Sequence, residues 1–406
     1  MSQGILSSIK VLELANVLAG PGVGAMLAEL GAEVIKVENL QTNGDVTRSW
    51  KLPDEDPATD ISAYFSCVNW GKQSLAIDLQ KPDGIGLIKQ LIKHTDIVLA
   101  SYKPGDAEKL KVDYETLKQI NPKLIYAHLT GYGLENDRAG YDAIIQAETG
   151  FTLMNGEAGC KPVKMPVALM DILAGHHIKE AIFLALFQRE RTGEGNYIDV
   201  SLFRSGLASL ANQATNWLVG NCIPKAMGSD HPNIVPYGTI YYTSDSKPVV
   251  LAVGTDQQFA SLCKILGKAD LITDERFKTN LLRVKNRVLL QEMLKSLIAQ
   301  MARTDLLEAC KKCKVPAGGV FNMQEVFEQT EAQPMLLSQV TDQGNQLKGV
   351  SSIAFWMKGH TFANVSGTPP HYGQHSAAIL KDVLGLKNHE VLSLIEKNVI
   401  YDRNFN

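Results

Sequence analysis

Asp171 stands within Pro166-Val167-Ala168-Leu169-Met170-Asp171-Ile172-Leu173-Ala174-Gly175, a run apolar on both sides, where a long helical stretch begins. A carboxylate there suits two roles. As an N-cap it satisfies backbone N–H groups and gains from the helix dipole. As a nucleophile it profits from poor solvation, because little hydration must be stripped before it attacks an electrophilic carbonyl. The residue types alone leave both open.

A second constellation is Gly20-Pro21-Gly22-Val23-Gly24-Ala25, which matches G-x-G-x-x-A between a strand and a helix, with Glu38 closing the next strand. That layout lets a backbone approach a pyrophosphate at a helix N-terminus while the acid holds a ribose. It supports an NAD(P)-dependent oxidoreductase as the alternative function. The other reading is a tight turn with glycines for steric reasons, and Pro21 removes an N–H that a phosphate cradle would use.

Other chemistries lack their signatures. The sequence holds no G-x-S-x-G, H-E-x-x-H or G-x-x-x-x-G-K-[ST], which argues against serine hydrolase, zinc protease and P-loop enzymes. Cys310-Lys311-Lys312-Cys313 is a lone C-x-x-C without a second pair, so no metal is expected. His128 falls in a strand pattern, and His176 and His177 in a helix; they read as packing or surface residues.

The elements that position these groups alternate. Val11–Leu14, Glu33–Glu38, Ser74–Asp78, Asp96–Leu99 and Lys123–Leu129 read as strands, separated by helical stretches near 22–30, 85–92 and 113–120. Such alternation gives βαβ units and a mostly parallel sheet, so the fold class is α/β. A strong helix spans 171–190, followed by strand-like Tyr197–Val200. A Pro-, Gly- and Asn-rich stretch near 221–236 opens a smaller domain over 225–330, with strands at Thr239–Tyr242 and Val249–Val253. The last residues contribute a strand at Val350–Phe355 and a helix near 389–397.

Over 406 residues, 45% apolar and 20% charged, 40 basic side chains face 43 acidic ones for a net charge of −3. No basic excess marks a nucleic-acid or anionic-membrane binder, and no apolar stretch approaches the roughly 20 residues that span a bilayer. Six scattered cysteines and an amino terminus without a signal core lead to the expectation of a reducing cytoplasm.

Taken together, Ile9–Leu14 with Leu18-Ala19-Gly20-Pro21, Leu30–Glu38, Gly44–Arg48, Asn69–Ser74, Thr130–Gly133, Ala139–Asp142 and Arg191–Gly195 resemble the class III CoA-transferases, the formyl-CoA and carnitine CoA-transferase group. The likeness covers nearly the whole chain. Blocks at Ile234–Tyr237, Gln257–Leu266, Phe277–Asn280 and Arg283–Arg287 are most similar to the branch moving CoA between succinyl and glutaryl groups. The resemblance implies a Rossmann-like large domain (1–224), the smaller α+β domain (225–330) and a carboxy-terminal segment (331–406) returning to the large one. It also implies an interlocked homodimer. Coenzyme A thioesters enter as substrates, with no tightly bound cofactor.

By the same resemblance Asp171 is the nucleophile, passing through a mixed anhydride and an aspartyl-CoA thioester. Leu18 and Ala19 meet the pantetheine, Lys72 and Lys109 the CoA phosphates, and Tyr132 lies in the active-site turn. Gly254 belongs to a closing loop, and Arg48 is the candidate for a substrate's distal carboxylate. Tyr141 takes the place where the related racemases carry a catalytic His. A phenol with a reference pKa of about 10 is a poor base, so an acyl-CoA epimerase is the lesser alternative. Ser101 and Asn39 replace a usual Asn and a usual basic residue.

Overall fold

The computed structural model describes residues 4–341, 344, 346–359 and 367–405. Two compact units emerge: residues 1–149, 166–211 and 333–406 form the first, and 150–165 with 212–332 the second.

The first unit is built on strands β1 (Lys10–Leu14), β2 (Glu33–Asn39), β3 (Gln73–Ile77), β4 (Ile97–Ala100), β5 (Ile125–Thr130) and β6 (Asn196–Ser201). They run parallel in the order β3-β2-β1-β4-β5-β6, and terminal Ile400–Tyr401 adds an antiparallel edge on β3. Every residue of β4 and β5 is buried, as a parallel sheet covered on both faces requires. Leu12, Ile35, Leu75, Val98 and Tyr126 form one continuous core with Leu87, Ile88 and Leu91.

Four helices matter for the site. They are α1 (Ala19–Glu29), α2 (Pro82–Ile92), α3 (Asp142–Glu148) and α4 (Leu169–Thr192). Pro82 starts α2, where its missing N–H costs nothing. Gly193, at φ 74°, ends α4 in the left-handed conformation that glycine tolerates. The strand order reverses between β1 and β4, so their carboxyl ends open a crevice at a topological switch point.

The carboxy-terminal strand differs from expectation. It runs over Gln346–Val350 and so meets the expected span only at Val350, because beyond Ser351, whose N–H still reaches the Met335 carbonyl at 2.8 Å, the backbone turns elsewhere. Ser352 donates its N–H to Glu29 Oε1 at 2.8 Å, and the Ser351 hydroxyl reaches Glu29 Oε2 at 2.5 Å. A ladder has no such carboxylate.

The second unit carries a three-stranded antiparallel sheet, β7 (Tyr237–Tyr242), β8 (Pro248–Ala252) and β9 (Ala317–Gly319), in that order. Its core joins Tyr241, Val249 and Leu251 to Phe259, Leu262, Leu290 and Leu294. Fully buried Arg283 donates to the carbonyls of Val235 and Phe277, both at 3.0 Å, and to Asp256 Oδ1 at 2.6 Å.

Candidate active site

Asp171 lies in the first turn of α4, but it is not the cap. Ala168 holds that position without a side-chain hydrogen bond. The cap's work falls to Asp142, whose Oδ1 accepts the Met170 N–H at 2.9 Å while its other oxygen accepts from Gln146 at 2.8 Å. Among the described residues no hydrogen bond reaches the Asp171 carboxylate. The N-cap reading therefore falls away.

The half-buried carboxylate lines a cavity of about 210 Å³ together with Leu18, Ala19, Ser101, Tyr141 and Asp142. Leu18 follows β1 and Ser101 follows β4, so the cavity occupies the switch-point crevice. Burial pushes Asp171 up to about 7, and the nearby Asp142 charge adds to the effect. Burial, reinforced by the Asp171 charge, also raises the Tyr64 phenol to about 12. Gly175 lies one turn on from Asp171, and a Cβ there would sit 3.3 Å from the Ala19 carbonyl oxygen. The missing side chain thus lets α1 and α4 close together beside Asp171.

The glycines of the α1 run serve packing. A Cβ on Gly20 would lie 2.4 Å from the Ala15 Cβ, and one on Gly24 only 2.0 Å from Glu13 Oε2. Pro21 and both glycines are buried within α1. Glu38 is wholly buried and engaged twice by Arg48, at 2.6 and 2.8 Å. It has no freedom to hold a ribose, so the dinucleotide reading is not favoured.

Beneath α1 lies a buried ionic cluster that local sequence does not announce. Lys36 contacts Glu13 Oε1 at 3.1 Å and Asp45 Oδ2 at 2.9 Å, and Lys72 contacts Glu13 Oε2 at 2.8 Å. Burial alone would lower Lys36, but Glu13, Asp45 and Glu38 outweigh it and hold the ammonium above its usual range. Lys72 is pulled down by burial to about 8, against the opposing pull of Glu13.

The expected site residues divide. Leu18, Ala19, Tyr141 and Asp171 share the cavity. Tyr132 stands beside it, its hydroxyl donating to Glu148 Oε2 at 2.8 Å and its ring 4.4 Å from the Arg138 guanidinium carbon. Lys109 is exposed on a short helix, paired with Asp106 at 2.8 Å, and is absent from the cavity wall. Lys72 is enclosed by Glu13, the Pro21 carbonyl at 2.8 Å and Asn69 Oδ1 at 3.0 Å. Its donors are used internally, leaving none for a phosphate.

Arg48 is likewise committed, adding the carbonyls of Asp60 and Pro370, each at 3.1 Å, to its Glu38 pair. A substrate carboxylate could take its fork only by breaking that buried pair. Gly254 belongs to the second unit, where its N–H meets Gln258 Oε1 at 2.9 Å. His128 is satisfied, bridging the Tyr197 hydroxyl and the Tyr102 carbonyl at 2.9 Å each.

Sequence reasoning gave no role to Asp142, although it closes the Ala139–Asp142 block and opens a helix, the position where an acid caps. It also passed over Lys103 and Arg138, the two cations lining the cavity among the described residues. A larger open groove of about 1190 Å³ adjoins the cavity, shares Asn16 with it and is lined by Asn39, Lys51 and Arg403.

The model of CoA-transferase family III matches residues 6–376. The chain is 38% identical to the succinate–glutarate CoA-transferase of Agrobacterium fabrum, over 93% of this chain and 95% of that protein. It is 35% identical to the succinyl-CoA:glutarate CoA-transferase of Homo sapiens, over 97% of this chain and 90% of the human one. The crystal structure of a CaiB/BaiF family protein from Brucella suis matches with a TM-score of 0.82 and 38% identity, covering 94% of this chain and 100% of that one. The chain is an enzyme and belongs to CoA-transferase family III.

Proposed function

We propose that this enzyme moves CoA from a short dicarboxylyl-CoA such as succinyl-CoA to a carboxylic acid acceptor such as glutarate, with Asp171 as covalent carrier. The observation that carries the reading is the state of Asp171. Its carboxylate is half-buried, free of hydrogen-bond donors among the described residues, raised to about 7, and set in the switch-point cavity. A carboxylate so poorly solvated attacks readily. The relatives named for succinate and glutarate supply the substrate class.

The steps balance without ATP, metal or redox partner. An Asp171 oxygen attacks the donor thioester carbonyl, and the C–S bond breaks to give a mixed anhydride and CoA thiolate. The thiolate attacks the aspartyl carbonyl, expelling the donor acid and leaving an aspartyl-CoA thioester. The acceptor carboxylate displaces CoA to form a second anhydride. Thiolate then attacks the acceptor's carbonyl, which releases the new acyl-CoA and restores Asp171. Backbone N–H groups around Leu18 and Ala19 hold developing negative charge, and the pantetheine follows the same backbone. The groove reached past Asn16 has room for the nucleotide. Water must be excluded from both anhydrides.

The interlocked homodimer belongs to this reading, supported by Leu184 and Phe187 of α4, 70% and 63% exposed. So does the cytoplasm, supported by six free cysteines. Among the described residues no helix is long and apolar enough to cross a membrane.

The test is chromatography of CoA thioesters after mixing succinyl-CoA with glutarate. Glutaryl-CoA should form, and Asp171→Ala should lower the rate at least about a thousandfold. Full activity in the variant would defeat the assignment of Asp171.

A further inference from the structure

We infer that Asp45, held by Lys36, is a positioning residue for CoA transfer: it fixes Val17 in a left-handed conformation and thereby sets Leu18 and Ala19 against Asp171. The inference rests on the assignment of the Asp171 cavity as the site of transfer.

Val17 has φ 71°. A β-branched residue in that region is a genuine outlier, persisting only where its surroundings over-determine it. The surroundings do so here. The Val17 N–H is shared between the two Asp45 oxygens at 3.2 and 3.4 Å. Asp45 is itself fixed by Lys36 at 2.9 Å, by the Thr47 N–H at 3.0 Å and by the Thr47 hydroxyl at 2.8 Å. Lys36 also donates to the Ala15 carbonyl at 2.9 Å. The ammonium therefore grips the turn before Val17, and through Asp45 it grips Val17 as well. Asn16, between them, donates its N–H to Ser101 Oγ at 3.2 Å.

Lys36, Asp45 and Thr47 are all buried. Buried ion pairs are weak evidence of a stability role, since apolar residues of similar volume often serve a fold as well or better. Their placement is what distinguishes this pair. It fixes the one turn whose next two residues, Leu18 and Ala19, line the cavity with Asp171. Closure of α4 onto Ala19 at Gly175 leaves little slack there. If Val17 relaxes to a negative φ, Leu18 and Ala19 shift relative to the carboxylate, and a displacement near 1 Å at a reacting centre costs on the order of a hundredfold in rate.

The test compares Asp45→Ala, Asp45→Asn, Val17→Gly and the double variants by kcat and KM for succinyl-CoA, with circular dichroism and thermal melting as a check on folding. Asp45→Ala should lower kcat/KM by about 10- to 100-fold. Asp45→Asn, which keeps an acceptor but not the charge, should fall in between and provides the comparison if the alanine variant fails to fold. Adding Val17→Gly should restore most of the loss in either background, because glycine adopts φ 71° without a clamp. An equal loss with and without the Val17→Gly change would overturn the proposal, as would wild-type kcat/KM in both Asp45 variants. Failure of the Asp171 assignment would show separately, as transfer that survives in Asp171→Ala.

Discussion

The carboxylate of Asp142 receives the Met170 N–H at 2.9 Å, which fixes a second negative charge beside the turn carrying Asp171. Burial first, and that charge second, raise Asp171 to about 7. In the proposed mechanism the ionised form attacks, so kcat/KM for succinyl-CoA should rise with pH along a limb centred near 7 and level off above it. Asp142→Asn keeps an acceptor for Met170 but removes the charge. Its limb should move to lower pH, while remaining above the ordinary aspartate range because burial persists. Rate profiles from about pH 5 to about pH 9 measure both.

The same shift makes Asp171 a cost to the fold. Its folded value of about 7 lies above the ordinary 3.8. Between those values the folded state binds the extra proton, so stability falls as pH rises through that window. Asp171→Asn should therefore be more stable than the wild type at about pH 8, by on the order of 2–4 kcal/mol. The gap should close as pH drops toward about 4. Urea denaturation at the two pH values checks the sign.

Gly24 is predicted to tolerate no side chain. Glu13 and Lys72 pair at 2.8 Å under α1, and a Cβ on Gly24 would intrude to 2.0 Å from Glu13 Oε2. Gly24→Ala must displace the helix or split the pair, and an unpartnered buried charge costs about 3–5 kcal/mol. Denaturation should register that loss. NADH titration monitored by fluorescence should show no binding to either protein.

Arg138 is the residue on which discrimination for dicarboxylates is expected to rest. Its guanidinium meets Glu148 Oε1 at 2.5 Å, with both side chains substantially exposed, and such pairs hold weakly. A substrate's distal carboxylate can compete for it. Arg138→Ala should lower the ratio of kcat/KM for glutarate to that for a monocarboxylate of equal length by about 10- to 100-fold. Arg138→Lys, lacking the planar fork, should recover part of the ratio. An equal loss with both acceptors would assign Arg138 to something other than the distal group.

Much of this was legible from local pattern. The short apolar runs of β1 and β5, the β-branched run of β2, the apolar spacing of α2 and the long helix after Ala168 are all written in residues that are neighbours in the chain. Asp171 was visible because a lone acid among Met170, Ile172 and Leu173 is conspicuous. The glycine run was ambiguous, since cofactor approach and helix packing demand the same missing side chain. The close approach of Gly24 to Glu13 and of Gly20 to Ala15, with Glu38 held by Arg48, separates them. Arg48 looked like a ligand group because its partner Glu38 lies back on β2, across the intervening turn. Lys72 looked free to meet a phosphate because Glu13 stands 59 positions away. Pairings of that range are set by sheet order, which no local spacing records.

The most direct test of the account is intact-protein mass after mixing with succinyl-CoA, trapping with hydroxylamine or borohydride, and peptide mapping, on wild type and Asp171→Ala. The account predicts a trapped modification that maps to Asp171 and vanishes in the variant. Transfer of CoA with no modification of Asp171, or the same modification in Asp171→Ala, would contradict it.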